Sequence, residues 1–364
     1  MIMNEVAESI KLNKRTIRAS LHDMVKSAKA VDLVYVLDDD PGYVRQRVGK
    51  HFCYFYGSVK IKDKIELERI KKLGIPPAWN NVWICKLANG HLQATGFDIL
   101  KRKQYRYHSS WNIIRKHTKF YRLLEFGKQI PSIRTNIEHH LSLKGYPKEK
   151  ILAAVLSLLD QTNIRVGNSS YEKLYGSFGL TTLKNRHITI TGSQLHFTFK
   201  GKKNIKHNIT LKSKKLARIV KACKDIPGKD LFGYYDTEGN IHDITSDMVN
   251  NYIRNITNGD FTAKDFRTWA GTVTALNAFT EIGGFETTTE MNQKIATAYD
   301  MVARQLGNTR TVCKNYYVHP LIVDLYKENK LEKYLIQLKI LESNGTQEAL
   351  MPAEKLLTKI LEKN

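Results

Sequence analysis

The sequence is poor in the residues that announce several kinds of chemistry. Its 364 residues include only four cysteines, at Cys53, Cys85, Cys223 and Cys313, far apart and with no C-x-x-C pair. That spacing excludes the usual zinc and dithiol signatures and reads as small buried thiols of a reducing compartment. Long apolar runs are also missing. The longest, residues 151–159, has about half the length of a membrane span, and the N-terminal segment has no apolar run of the signal-peptide kind. The expectation is a soluble intracellular protein with no membrane partner. There is no G-x-x-x-x-G-K-[ST] and no dinucleotide fingerprint, so neither a nucleotide nor a metal cofactor is expected. Acidic residues are scarce: 35 Asp and Glu stand against 58 Lys and Arg, a formal net charge of +23. Such a sum carries no information on fold, but it does on partners. A polyanion is the natural one, nucleic acid first and an anionic membrane surface second.

What is present points to an α+β protein of two or three domains. Residues 1–30 are polar and basic with weak helical periodicity and read as a basic N-terminal arm. A β-rich domain follows over residues 31–109. Residues 33–37 form a β run closed by Asp38-Asp39-Asp40-Pro41-Gly42, and residues 51–56 form a second. Residues 64–73 have helical spacing and stop at Gly74-Ile75-Pro76-Pro77. Strands are expected again at 82–87, 92–97 and 104–108, with Ala88-Asn89-Gly90 as a hairpin turn. Residues 110–364 read as a mainly helical domain, with helices at 133–143, 149–160, 214–224, 246–256, 262–279, 288–305 and 320–330. Thr262 with Asp265 resembles a capping box. One β insert interrupts the helices, a three-stranded meander over 187–191, 194–199 and 205–211 with Lys200-Gly201-Lys202-Lys203 at one tip.

One stretch near the end organises the rest. Gly307-Asn308-Thr309 breaks a helical pattern, and Asn308 or Thr309 can cap the turn that follows. His319-Pro320 then restarts the chain, because proline suits a first helical turn. Tyr316 and Tyr317 lie between. A phenol with a pKa of about 10 is a poor nucleophile unless cations stabilise its oxyanion and the transition state. Candidates for that task are Arg165, in Asn163-Ile164-Arg165-Val166-Gly167-Asn168; Lys202, on the hairpin tip; Arg267, in the first turns of the helix from Thr262; and the amide Asn308. Singly each has an ordinary reading, as a solvated charge or a helix cap.

Together the motifs resemble a known family, the type IB DNA topoisomerases in their compact poxvirus and bacterial form. Ile75-Pro76-Pro77-Ala78-Trp79, Gly90-His91-Leu92-Gln93-Ala94-Thr95-Gly96 and Lys103-Gln104-Tyr105-Arg106-Tyr107-His108 are similar to amino-domain blocks. Arg165-Val166-Gly167-Asn168, Gly176-Ser177-Phe178-Gly179-Leu180-Thr181-Thr182-Leu183, Phe199-Lys200-Gly201-Lys202, Asp265-Phe266-Arg267-Thr268-Trp269-Ala270-Gly271-Thr272 and Tyr317-Val318-His319-Pro320 follow in the family order. The resemblance implies a C-shaped clamp on duplex DNA, relaxation of supercoils through a 3′-phosphotyrosyl intermediate, and no need of ATP or metal. It makes Tyr317 the nucleophile, Arg165 and Arg267 a clamp on the scissile phosphate, Lys202 the general acid, and Asn308 a ligand of a non-bridging oxygen. It places Lys264 and Tyr171 near phosphates, and Gln104, Tyr105 and Tyr107 against the major groove. The acidic loop at residues 38–42 is expected to face away from DNA. The implied protein is a monomer of the cytoplasm, nucleoid-associated if bacterial, or in the virion or host cytoplasm if viral. The rival is a tyrosine recombinase or integrase, which shares the Arg-Lys-Arg-Tyr chemistry. Recombinases usually carry His where this chain has Lys264, and they lack the blocks around Gln93 and Gln104.

Overall fold

A computed structural model describes residues 23–49, 51–343 and 350–363. Most of the expected N-terminal arm, residues 1–22, therefore lies outside the described residues; its end forms a short helix, α1 (Met24–Lys29), capped by the Asp23 carboxylate. The chain divides into two compact units, one up to Arg122 and one from Leu123.

The first unit is built on a six-stranded antiparallel sheet: β1 (Tyr43–Val48), β2 (His51–Tyr56), β3 (Val59–Lys60), β4 (Asn80–Ile84), β5 (Leu92–Phe97) and β6 (Lys103–Tyr107), in the order β3-β2-β1-β4-β5-β6. Helix α2 (Lys64–Lys72) adds Ile70 to a small core with Val82, Ile84 and Ala94. Strand β1 was hidden in the sequence by its charges. Arg45 sits in this interior strand, 9% exposed, and its guanidinium donates to the carbonyls of Ile75, Pro76 and Trp79. A buried charge is tolerable when every N–H finds an acceptor, so one arginine explains why the Ile75-Pro76-Pro77-Ala78-Trp79 turn is held against the sheet. The strand expected at residues 33–37 is not one. Only Val34 bridges, to Gly90. Further along, backbone donors turn to side chains: Val36 N–H donates to His91 Nδ1 and Leu37 N–H to Asp40 Oδ2. An apolar β-branched run becomes a strand only where a neighbouring backbone is free to pair with it, and here side chains take that place.

The boundary between the units falls within a 33-residue helix, α3 (Ser109–Leu141). Pro131 inside it masked its continuity in the sequence, which showed helical spacing only after that residue. The second unit continues with α4 (Lys148–Thr162) and α5 (Ser169–Tyr175). The meander appears as expected, with β7 (Ile188–Thr191), β8 (Gln194–Lys200) and β9 (Lys206–Lys212) in sequential order. Then come α6 (Lys214–Asp225), a small hairpin of β10 (Gly233–Tyr235) and β11 (Ile241–Asp243) that the sequence did not reveal, and α7 (Ser246–Thr257). The unit ends with α8 (Ala263–Ile282), α9 (Thr288–Leu306), α10 (Arg310–Tyr316), α11 (Pro320–Lys327), α12 (Glu332–Ser343) and α13 (Pro352–Lys363). One continuous core joins these helices to the inner face of the meander, where Leu195 and Phe197 are fully buried. No helix among the described residues is long and apolar enough to cross a membrane.

Within that core a polar anchor ties α13 to α8. Glu354 is 2% exposed. It accepts from Arg134 Nη1 at 2.7 Å and from Trp269 Nε1 at 3.0 Å, while Asp160 takes Arg134 Nε at 3.0 Å. Trp269 lies two residues beyond Arg267, so the last helix helps hold the one that carries a site residue.

Candidate active site

Arg165 is placed by two turns. Helix α4 stops at Asn163 in the left-handed region, φ 56°, a conformation Asn adopts more readily than most residues. The chain then runs beside residues 179–181: Leu180 N–H donates to the Arg165 carbonyl and Thr181 N–H to that of Val166. This approach needs glycine, since a Cβ on Gly179 would lie 2.5 Å from the Arg165 carbonyl oxygen. Next door, Phe178 N–H donates to the Lys200 carbonyl at 2.8 Å. The Gly176-to-Leu183 motif thus joins the arginine loop to the end of β8, just before Lys202. Asn168 Oδ1 caps α5 through Ser170 N–H and Tyr171 N–H, which sets Tyr171 at the rim.

Arg267 and Tyr317 are placed by α8. The expected capping box starts this helix, with Asp265 Oδ2 accepting from Thr262 N–H and Oγ1. A turn later Arg267 points inward, 4% exposed. Its Nη1 donates to the Asn163 carbonyl and its Nη2 to that of Leu306, the latter at 2.7 Å. One further turn on, a Cβ at Gly271 would meet the Tyr317 carbonyl oxygen at 2.6 Å. Thr272 Oγ1 accepts from His319 N–H at 3.1 Å and donates to the Tyr317 carbonyl at 3.3 Å. On the tyrosine side Thr309, not Asn308, caps α10, and His319 Nδ1 caps α11 with Pro320 in its first turn. Tyr317 therefore sits between two capped helices, half-buried against the core, while Tyr316 is 53% exposed. The Arg267 guanidinium carbon lies 5.3 Å from the Tyr317 ring centroid.

The electrostatics are those of an anion receptor. Arg165 Nη2 donates to Asn308 Oδ1 at 2.6 Å and to the Gly307 carbonyl at 3.0 Å. Burial, with the Arg267 charge adding to it, pulls the Arg165 guanidinium down to about 10, still well above neutral pH, and burial lowers Arg267 too. Among the described residues no carboxylate pairs with either. Three buried donors stay without an acceptor: Arg165 Nη1, Arg267 Nε and Asn308 Nδ2. Buried cations are costly unless paired and fully hydrogen-bonded, and forked guanidinium groups match the paired oxygens of a phosphate. The adjoining cavity, about 270 Å³, is lined by Arg165, Lys202, Arg267, Tyr317, Tyr171 and Lys264, among others, and by no acidic residue. Lys202 is exposed at the hairpin tip, its Nζ 5.1 Å from the centre of the Tyr171 ring. All the candidate residues of this unit thus gather in one place, Asn308 through its bond to Arg165. Among the described residues no three His, Cys, Asp or Glu side chains lie where they could share a metal ion.

Two features here escaped the sequence reading. The backbone carbonyls of Asn163, Leu306 and Gly307 hold the arginines, and a carbonyl leaves no mark in a sequence. His207 on β9 is the other. Its ring stacks on Phe199 at 4.8 Å, and burial together with the charges of Arg165 and Arg267 drives its pKa down to about 4.

Gln104, Tyr105 and Tyr107 belong to the first unit, on β6 at an edge of the sheet. Tyr105 and Tyr107, two apart, share a face and stack at 5.9 Å with rings 8° from parallel. Gln104 is on the opposite face, where its Nε2 donates to Asp98 Oδ2. The acidic loop reaches this strand: Asp38 pairs with Lys103 at 2.6 Å and accepts from Thr95 Oγ1.

Comparison with known proteins adds an independent finding. A family model described as the catalytic core of eukaryotic DNA topoisomerase I matches residues 108–343, and one described as the N-terminal domain of bacterial DNA topoisomerase IB matches residues 51–98. DNA topoisomerase 1B of Acanthamoeba polyphaga mimivirus is 32% identical over 299 residues, covering 79% of this chain and 88% of the relative. DNA topoisomerase 1B of vaccinia virus (strain Western Reserve) is 25% identical and DNA topoisomerase I of monkeypox virus 24% identical, each over 241 residues, 64% of this chain and 72% of the relative.

Proposed function

Because this chain belongs to the type IB DNA topoisomerases, and its substrate is therefore DNA, we propose that it relaxes supercoiled duplexes by transient cleavage of one strand through Tyr317. The Tyr317 oxygen attacks a backbone phosphorus, and its phenolic proton passes to solvent. The bond from phosphorus to the 5′ oxygen breaks, leaving a 3′-phosphotyrosyl ester. Lys202 gives a proton to the departing oxygen, which as an alkoxide would be a very poor leaving group. Arg165 Nη1, Arg267 Nε and Asn308 Nδ2 take the non-bridging oxygens, whose charge grows in the transition state. The free duplex end rotates about the intact strand, and the 5′ hydroxyl then attacks the tyrosyl ester in the reverse reaction. The ester keeps the free energy of the original phosphodiester, so the cycle runs without ATP, and the guanidinium groups fill the role a metal would otherwise have.

The observation that carries this reading is the guanidinium pair beside Tyr317, Arg267 buried and Arg165 half-buried, with donors to spare and no carboxylate among the described residues to neutralise them. The wider assignment is also proposed. The β-rich part at 31–109 binds DNA and the helical part from 110 carries the chemistry. Tyr105 and Tyr107 meet the major groove from one face of β6, Gln104 meets DNA from the strand's other face at the sheet edge, and Tyr171 and Lys264 meet phosphates. The protein acts as a monomer in the cytoplasm. Trapping the covalent complex with detergent and sequencing the DNA-linked peptide tests the central claim. The expected adduct is on Tyr317; Tyr317→Phe should form none, and Tyr316→Phe should form it at nearly the wild-type level. An adduct on any other residue overturns the mechanism.

A further inference from the structure

His207 lies outside the catalytic set just proposed, yet it occupies the joint between two of its parts. Its ring fits a slot made of two glycines. A Cβ on Gly201 would lie 2.7 Å from His207 Cδ2 and Nε2, and a Cβ on Gly307 would lie 2.6 Å from Cε1. Gly201 is the residue before Lys202. Gly307 is the residue before Asn308, and its carbonyl accepts from Arg165. The third side of the ring is Phe199, stacked at 13°, and β8 and β9 fix the pair in register, Phe199 opposite His207. The tip beyond has little support of its own: Lys203 and Asn204 both take φ of 61°, a region costly for residues with a side chain.

We propose that His207 is a positioning residue that seats the Lys202 hairpin tip against the Arg165–Asn308 floor, so that the general acid meets the 5′ oxygen of the phosphate that floor holds. This rests on the acid role given to Lys202 above. The slot accepts a flat ring and nothing thicker, because both neighbours must be glycine for it to enter. An aromatic ring between two backbones transmits position well, since packed interiors are nearly incompressible. Without the ring the tip can move while both arginines keep their backbone acceptors.

This arrangement predicts a chemical signature that a general loss of structure does not give. A general acid matters in proportion to the basicity of the leaving group. The alkoxide derives from a group with a pKa of about 16, close to that of water, whereas a thiolate derives from one of about 8.5. A duplex with sulfur in place of the bridging 5′ oxygen therefore needs no proton from Lys202: the P–S bond breaks, the thiolate leaves, and the Tyr317 ester forms as before.

The test uses the full-length protein under single-turnover conditions, with oxygen and sulfur duplexes built around a cleavage site mapped with the wild type. His207→Ala should slow adduct formation on the oxygen duplex about tenfold or more, as expected for an acid pulled out of place. On the sulfur duplex its rate should stay within about threefold of wild type. Gly201→Ala, with φ of −91° and so no backbone strain, should give the same pattern by crowding the ring. Equal slowing on both duplexes overturns the proposal, because the ring would then be supporting the arginines; so does wild-type speed on the oxygen duplex. If the wild type itself forms no adduct with either duplex, the underlying mechanism fails and this inference with it, a result distinct from the other two.

Discussion

Gly271 and Tyr317 approach so closely that no side chain fits between them: a Cβ on Gly271 would lie 2.6 Å from the tyrosine's carbonyl oxygen and 3.0 Å from its Cβ. The helix that carries Arg267 thus touches the backbone of Tyr317, and the spacing of those two residues is set by a contact with nothing soft in it. Gly271→Ala should push α8 and Tyr317 apart, costing about 1–3 kcal/mol of stability as overpacking usually does. Adduct formation should fall well beyond what that loss of folded protein explains. Denaturant titration and single-turnover cleavage, run together, separate the two effects; a variant as active as wild type disproves the contact's role.

Arg165 should matter far more to activity than to stability. Arg165→Ala removes a half-buried charge that has no carboxylate partner among the described residues, so unfolding free energy should change by no more than about 1 kcal/mol, while cleavage should drop about a hundredfold or more. Inorganic phosphate should raise the melting temperature of the wild type in a concentration-dependent way, because it binds the folded state alone. The same titration on Arg165→Ala should give a clearly smaller shift. Equal shifts in the two proteins mean the anion binds elsewhere.

Glu354 should be among the costliest surface-distant changes in the second unit. It is buried and bonded to Arg134 and Trp269. Glu354→Ala takes away both Arg134 bonds to this carboxylate and leaves Trp269 Nε1 without its acceptor, for a cost of about 3–5 kcal/mol. Chemical denaturation checks this; a cost under about 1 kcal/mol would falsify the anchor.

His207 should make the protein sensitive to mild acid. Its folded pKa of about 4 lies below its ordinary 6.5, from burial and from the charges of Arg165 and Arg267 facing it. The unfolded chain takes up a proton as pH falls through 6.5, and the folded chain refuses it until about 4. Stability is therefore unaffected above pH 7 and declines through that window, by on the order of 3 kcal/mol at the low end. His207→Phe should flatten this part of the stability–pH curve. An unchanged slope in the variant assigns the acid sensitivity to other groups.

Several elements were legible in the sequence because their cause is local. Helix α8 begins where a Thr and an Asp three residues apart satisfy each other, and the meander shows itself by strict alternation between two turns. Strand β1 shows no sign in the sequence, and the run at 33–37 reads as a strand that does not form, because the fates of both are decided by distant backbone. Arg45 survives in an interior strand only because three carbonyls from another loop surround it, and residues 33–37 lose their ladder to His91 and Asp40.

For the site the division is sharper. The order of residues already sets which chemistry is on hand: a tyrosine before His319-Pro320, two arginines, a lysine at a hairpin tip, an excess of positive charge, and the order of motifs that marks the family. Packing settles the rest: Asn308 binds Arg165 while Thr309 does the capping, Tyr317 turns inward and Tyr316 outward, and His207 fills the slot between Gly201 and Gly307. Those outcomes depend on carbonyls, on missing Cβ atoms and on burial, which exist only once residues more than a hundred positions apart are packed together.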